Sequence, residues 1–294
     1  MYPRLFDYTA PGTLDQATAD LAANPGAKVL AGGMSLIPMM KLRVFSPPTI
    51  VDIGRVAGLE SITEQGGRVE VGALVRQYQV AVSQPLVHRA TALAEAAAWT
   101  GDVQVRNRGT LCGSLAHADA SADQPAAVLA LSGMMVAHSS RGTRTIPAAD
   151  FFVDAFTTAL DEDEILTGAS LPLGLPGEGS AYRKVGRRGG HDGFAVAGAA
   201  AWVKIEDGAI VDARLALTGV STRPLLASGV QEALIGSDGS QVAVHAAAAR
   251  ADEGAVLIAD LYGAEDYKAH LAKLLTAQAL EIAVDRARRS LSAQ

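Results

Sequence analysis

Short apolar runs closed by glycine alternate with amphipathic stretches along the first fifth of the chain. Residues 27–31 form one such run and predict a buried strand; residues 49–53 predict another. Residues 13–23 read as a helix, with Thr13 as its N-cap and Gln16 at N3, the capping-box arrangement. Gly32-Gly33 breaks the first strand. Ser35 is then the expected cap of a helix reaching about Arg43, with Pro38 in the tolerated first turn. This β-α-β-α-β order predicts a small parallel unit in the first 55 residues.

The pattern changes after Gly58. Residues 59–63 and 68–72 alternate around Gly66-Gly67, as a hairpin does. Residues 86–99 are alanine-rich and predict one helix. The glycine-containing segment 109–114 follows, and Ser121, with Gln124 at N3, is the expected cap of a helix through Leu131. Residues 134–138 and 144–147 predict paired strands around Gly142, and 164–171 a further strand. The run 173–179, rich in glycine and proline, is the best boundary. Beyond it, strands are expected at 180–185, 194–206 and 209–219, with Asp207-Gly208 as a hairpin turn. Helices are expected from about Leu225, the last spanning 264 to about 290.

The 294 residues are 49% hydrophobic, enough for a large core. A net charge of -6 and the absence of a basic run give no footing for nucleic acid. No apolar stretch has the length of a membrane span, and residues 1–7 show no signal-peptide core, so a cytoplasmic, soluble protein is expected. Cys112 is the one cysteine. The chain therefore forms no internal disulfide and cannot by itself ligate an all-cysteine iron–sulfur cluster.

Two segments carry the candidate chemistry. Ala31-Gly32-Gly33-Met34-Ser35-Leu36 joins a strand to a helix start, where free N–H groups favour a phosphate. It matches neither a Walker A loop nor a G-x-G-x-x-G loop, and a plain tight turn accounts for it equally. In the second segment Thr110, Ser114 and His117 offer side-chain donors, and Leu111, Cys112, Gly113 and Ser114 offer backbone N–H groups. Asp123, in the next helix's first turn, could accept from sugar hydroxyls or simply stabilise the helix dipole. His117, Asp119 and Asp123 match no familiar metal spacing. Two small-residue loops about eighty residues apart suggest a diphosphate gripped from both sides, hence a dinucleotide. Trp99 and Trp202 sit in apolar contexts and read as core. Arg187-Arg188 could bind a phosphate or a partner but reads first as a solvated pair, and His191-Asp192 reads as an acid/base pair or a turn cap.

The stretch Ala31-Gly32-Gly33, Ser35-Leu36-Ile37-Pro38 and Lys41-Leu42-Arg43 resembles the first FAD loop of a known family, the flavin-binding medium subunits of molybdenum hydroxylases in the carbon monoxide dehydrogenase and xanthine dehydrogenase class. The run from Arg106 to Asp119 is similar to that family's second flavin loop. Leu171-Pro172 and the run from Tyr182 to Arg188 are also similar, so the likeness spans essentially the whole chain. It implies an α+β fold: a two-part FAD-binding domain of the PCMH or vanillyl-alcohol-oxidase type, followed by a C-terminal antiparallel sheet with helices. The parts would be 1–56, 57–174 and 175–294.

The same resemblance implies the roles. Residues 32–36 would hold the diphosphate of a non-covalent FAD from one side and Thr110 to Ser114 from the other. Asp123 would bind the ribityl or adenosine portion, Leu166 would pack against the flavin, and Lys184 or its neighbour Arg183 would approach the isoalloxazine. The family usually has glycine where this chain has Cys112, which adds strain if that residue needs a positive φ. Partners would be a large molybdenum–pterin subunit and a small [2Fe-2S] subunit, arranged as a dimer of heterotrimers. Electrons would leave to a quinone, oxygen or another acceptor, with peripheral membrane association if that acceptor is in a membrane. A carbon monoxide dehydrogenase medium subunit is the leading expectation. An aldehyde or N-heterocycle hydroxylase subunit, a self-contained FAD reductase or oxidase, and a non-enzymatic nucleotide-binding protein stand beside it.

Overall fold

The structure is a computed structural model and describes residues 2–189 and 193–292; the His191-Asp192 pair lies outside the described residues. The first helix, Leu14–Ala23, starts where its cap dictates: Thr13 Oγ1 accepts the Gln16 N–H at 3.3 Å, and Gln16 Oε1 accepts the Gly12 N–H. Strands Asp7–Thr9 and Lys28–Leu30 flank Thr49–Asp52 in a three-stranded parallel sheet; the parallel unit is as expected, while the strand Asp7–Thr9 is not among the runs read from the sequence. The next helix is Leu36–Leu42, but Ser35 does not cap it. That residue has helical φ and ψ, and its hydroxyl makes no cap bond.

A five-stranded antiparallel sheet follows, ordered Ile62–Gln65, Arg68–Gly72, Ile165–Pro172, Met134–Ser139, Gly142–Pro147. Both expected hairpins are present, and the later strand Ile165–Pro172 inserts between them. The single helix expected at 86–99 is instead two, Gln84–Arg89 and Thr91–Ala98, broken at Ala90 (φ −142°, ψ 49°). The break has a tertiary cause: the Gly174 N–H donates to the Arg89 carbonyl at 2.7 Å, and the Arg89 Nε donates back to the Gly174 carbonyl. A further short helix, Val103–Arg108, precedes the second glycine segment, most of which is itself helical as Leu111–His117. The helix Asp123–Ala130 is preceded by Ala122 and not capped by Ser121. The Ser121 hydroxyl accepts from Arg187 Nη2 at 2.6 Å, which ties it to the C-terminal region.

That region is an antiparallel sheet, Glu178–Gly186, Ala195–Glu206, Ala209–Thr218 and Leu225–Leu226. Asp207 (φ 49°) and Gly208 (φ 83°) make the expected tight turn. The helices Ser228–Leu234, Gln241–Ala248 and Glu265–Ser292 complete it. Alternation along Ala195–Glu206 sorts its two faces. Ala199, Ala201 and Val203 join the core with the long helix, while Ala200 and Trp202 join the core of the preceding region. The long helix lies so close to the sheet that a β-carbon on Gly179 would fall 2.1 Å from the Ala283 carbonyl oxygen. Among the described residues no helix is long and apolar enough to cross a membrane.

Candidate functional site

Strand Lys28–Leu30 delivers Ala31 to Leu36 to one wall of a cleft of about 930 Å³. The turn that joins this strand to helix Leu36–Leu42 leaves its amides open. Among the described residues, the N–H groups of Gly32, Gly33, Met34, Ser35 and Leu36 have no acceptor. Gly33 holds φ at 74°, and such a run of amides forms an anion-binding concavity. Gly32 is where the two loops meet: a β-carbon there would lie 2.3 Å from the Arg108 carbonyl oxygen and 2.8 Å from the Gly109 Cα.

The opposite wall is the start of helix Leu111–His117. Thr110 is its N-cap, with Oγ1 accepting the Gly113 N–H at 3.1 Å. The Leu111 N–H donates to the Val75 carbonyl and the Ser114 N–H to the Thr110 carbonyl, while the Cys112 N–H has no acceptor among the described residues. Cys112 lies in the first helical turn with negative φ, so a side chain at this position costs no left-handed strain. Burial pushes its thiol up to about 12, so it is a neutral, inert group. His117 packs against Phe156 with ring centroids 5.1 Å apart, and burial lowers its pKa, so the ring is neutral near neutral pH.

Under the cleft runs a buried polar network. The Ser114 hydroxyl donates to Gln124 Oε1 at 2.7 Å, Gln124 Nε2 donates to Gln77 Oε1 at 3.0 Å and to Thr100 Oγ1, and Gln77 Nε2 donates to the Thr110 carbonyl. Asp123 is buried at its edge. Its Oδ1 accepts from the Tyr182 hydroxyl at 2.6 Å, and its Oδ2 accepts from Lys184 Nζ at 2.9 Å and Thr100 Oγ1 at 3.3 Å. Burial raises the Asp123 carboxyl above its ordinary range, and the Lys184 charge and the hydrogen bonds from Tyr182, Lys184 and Thr100 offset only part of that rise. Burial beside that carboxylate raises the Tyr182 phenol well above its ordinary range.

The structure brings Ala31, Gly32, Gly33, Met34, Ser35, Leu36, Thr110, Cys112, Gly113, Ser114, His117, Asp123 and Leu166 onto one cleft. Leu111 is buried behind it. Neither Lys184 nor Arg183 lines it: Lys184 is wholly buried and is not the solvated edge charge that an isolated strand would give it. Arg183 instead lies over the Trp99 ring at 5.2 Å and pairs with Glu95 at 3.4 Å. Trp202 is core, as expected, whereas Trp99 is half-buried and packs on Tyr182. Arg187 is not a free surface charge. It lines the cleft between Phe194 and Tyr262, 5.5 and 4.6 Å from their ring centroids. Sequence reasoning missed Gln77, Thr100, Gln124 and Tyr182. No local signal gave them a site role, and only tertiary packing makes them neighbours.

The donor set fits FAD: open amides on two facing loops for a diphosphate, a buried carboxylate for hydroxyls, and apolar lining from Leu166 and Ile165 for a ring. Comparison with known proteins agrees. Residues 4–174 match the FAD binding domain in molybdopterin dehydrogenase, and residues 180–283 match the CO dehydrogenase flavoprotein C-terminal domain. The protein is thus an FAD-binding oxidoreductase component. It is 38% identical over 285 residues to the carbon monoxide dehydrogenase medium chain of Hydrogenophaga pseudoflava, covering 96% of this chain and 98% of that one. It is 34% identical over 290 residues to the 6-hydroxypseudooxynicotine dehydrogenase complex subunit alpha of Paenarthrobacter nicotinovorans, covering 98% and 97%. Its fold superposes with a TM-score of 0.93, at 38% identity and over 97% of this chain and 99% of the other, on the solved carbon monoxide dehydrogenase of Hydrogenophaga pseudoflava that lacks the Mo-pyranopterin moiety of its cofactor. The chain belongs to the family of FAD-binding medium subunits of molybdenum hydroxylases.

Proposed function

We propose that this chain is the electron-exit subunit of a three-component molybdenum hydroxylase, and specifically the medium subunit of a carbon monoxide dehydrogenase. The observation that carries the flavin role is the row of five open N–H groups at 32–36, set against the Thr110 loop across one cleft. The single cysteine supports the division of labour, because the [2Fe-2S] clusters and the molybdenum–pterin centre then belong to a small and a large partner subunit. The preference for carbon monoxide rests on the 38% identity over nearly the whole chain. The 34% identity to a 6-hydroxypseudooxynicotine dehydrogenase subunit favours a second reading, in which the complex hydroxylates an N-heterocycle or an aldehyde.

In this reading the amides of residues 32–36 and of the Thr110–Ser114 turn hold the diphosphate, Asp123 accepts from a sugar or ribityl hydroxyl, and Leu166 packs on the ring. When bound, FAD supplies a two-electron store between the one-electron clusters and an external acceptor. The protein's own work is to bind, orient and shield: Gly32 lets the loops close, and the buried apolar residues Leu166 and Ile165 exclude water from the ring's surroundings. The functional parts are 1–56, 57–174 and 175–294. The assembly is a cytoplasmic dimer of heterotrimers that delivers electrons to a quinone, oxygen or another acceptor, with peripheral contact to a membrane if the acceptor resides there.

The test is a gentle affinity purification from the native host, with flavin, molybdenum and iron measured in one sample and the complex assayed for dye reduction with carbon monoxide. FAD, both metals, two co-purifying chains and carbon monoxide turnover are expected. FAD with full turnover in the single chain would instead establish a self-contained reductase or oxidase, and both metals without carbon monoxide turnover would move the substrate to the second reading.

A further inference from the structure

Lys184 is a fully buried charged group. Its side chain is 0% exposed, yet no residue of its strand, Glu178–Gly186, lines the cleft. An ammonium has three N–H bonds, and here each has an acceptor: Asp123 Oδ2 at 2.9 Å, the Trp99 carbonyl at 2.7 Å and the Gly193 carbonyl at 2.8 Å. Nothing remains to donate to a ligand. Two of those three acceptors, Asp123 and Gly193, belong to residues that line the cleft themselves.

We propose that Lys184 is a positioning residue, which fixes the Asp123 carboxylate and the Gly193 carbonyl on the cleft wall and offers no charge to the flavin directly. The proposal rests on reading the cleft as the flavin site. It makes the C-terminal sheet a part of that site through contacts made behind the wall. Tyr182, two residues away on the same strand face, does the same from the other carboxylate oxygen. Both oxygens of Asp123 are therefore aimed by the C-terminal sheet, and Thr100 completes the set. A cation acting on the flavin from a distance would need no such arrangement. A carboxylate held in one orientation in a wall, with its side chain 3% exposed, does need it.

The experiment is a double-mutant cycle on the full chain: wild type, Lys184→Met, Asp123→Asn and the double variant, each read by FAD titration and by redox titration of the bound flavin. Lys184→Met alone strands a buried carboxylate and is expected to weaken FAD binding about tenfold or more. In the Asp123→Asn background the same change is expected to alter affinity by less than about twofold and to leave the flavin potential unmoved. If Lys184→Met costs as much affinity in that background as in the wild type, or lowers the potential there, the lysine acts on the flavin itself and the proposal is overturned. Wild-type affinity in Asp123→Asn overturns it too. Should Lys184→Met fail to fold, the charge-neutral double variant compared with Asp123→Asn still decides. Failure of the cleft reading is seen separately, as FAD binding that survives Gly113→Val.

Discussion

A β-carbon on Gly32 would lie 2.3 Å from the carbonyl oxygen of Arg108. No rotamer relieves that clash, because both partners are backbone. The contact explains why two segments so far apart in sequence face one cleft: Gly32 and Gly109 let the first loop rest on the second. Arg76 Nη1 donates to that same Arg108 carbonyl, and the Gln77 N–H donates to the Gly109 carbonyl at 2.9 Å, so the junction is held from behind. Gly32→Ala is expected to push the loops apart and lower FAD affinity at least about tenfold, with about 1–3 kcal/mol of lost stability from overpacking. Isothermal titration and chemical denaturation of the same preparation check both numbers.

Thr110 caps the helix that forms the second wall. Thr110→Ala removes the acceptor of the Gly113 N–H and is expected to cost about 0.5–2 kcal/mol in urea denaturation, with Thr110→Ser restoring most of it.

Cys112 is 2% exposed, and its thiol is pushed up to about 12 by burial. It should react with a thiol reagent at neutral pH only as fast as the chain unfolds, and cofactor should be released completely by acid precipitation. Rapid labelling of the native chain, or flavin retained on the precipitated polypeptide, would contradict the inert, non-covalent role.

Glu164 and Arg144 make a two-pronged pair at 2.6 and 2.7 Å on the cleft's flank. The hydrogen bonds from Arg144 hold the Glu164 carboxyl below its ordinary range, against a desolvation that raises it. A depressed carboxylate contributes stability that is present above its unfolded pKa, about 4.3, and is lost as pH falls through the lower folded value. Arg144→Met should therefore lower the melting temperature most near neutral pH, and the gap to wild type should narrow on acidification. A gap that is constant across the acid range would assign the effect to packing alone.

Much of this was legible in the sequence, and the parts that were not share a cause. The parallel unit, the two hairpins, the Asp207-Gly208 turn and the long last helix follow from local periodicity and turn chemistry, which act within a few residues. Local signals misplaced the helix at 86–99, because Gly174, far along the chain, takes the Arg89 carbonyl and forces the break at Ala90. Ser121 looked like a cap and is instead a tether for Arg187, again a long-range partner. The two loops were legible because small residues beside a helix start are a local signal. Only the resemblance points to Lys184, as a group approaching the flavin, whereas the structure buries it behind the cleft wall. Nothing near it in sequence shows that Asp123, Trp99 and Gly193 would enclose it.

The central claim is that the two loops together hold one FAD. The most direct measurement is FAD titration of flavin-depleted chain, by quenching of flavin fluorescence, for the wild type beside Gly33→Val and Gly113→Val, with circular dichroism confirming that each is folded. Saturable binding of one FAD per wild-type chain, abolished in both folded variants, is the expected result. Undiminished binding in either variant would show that the flavin does not lie between these loops.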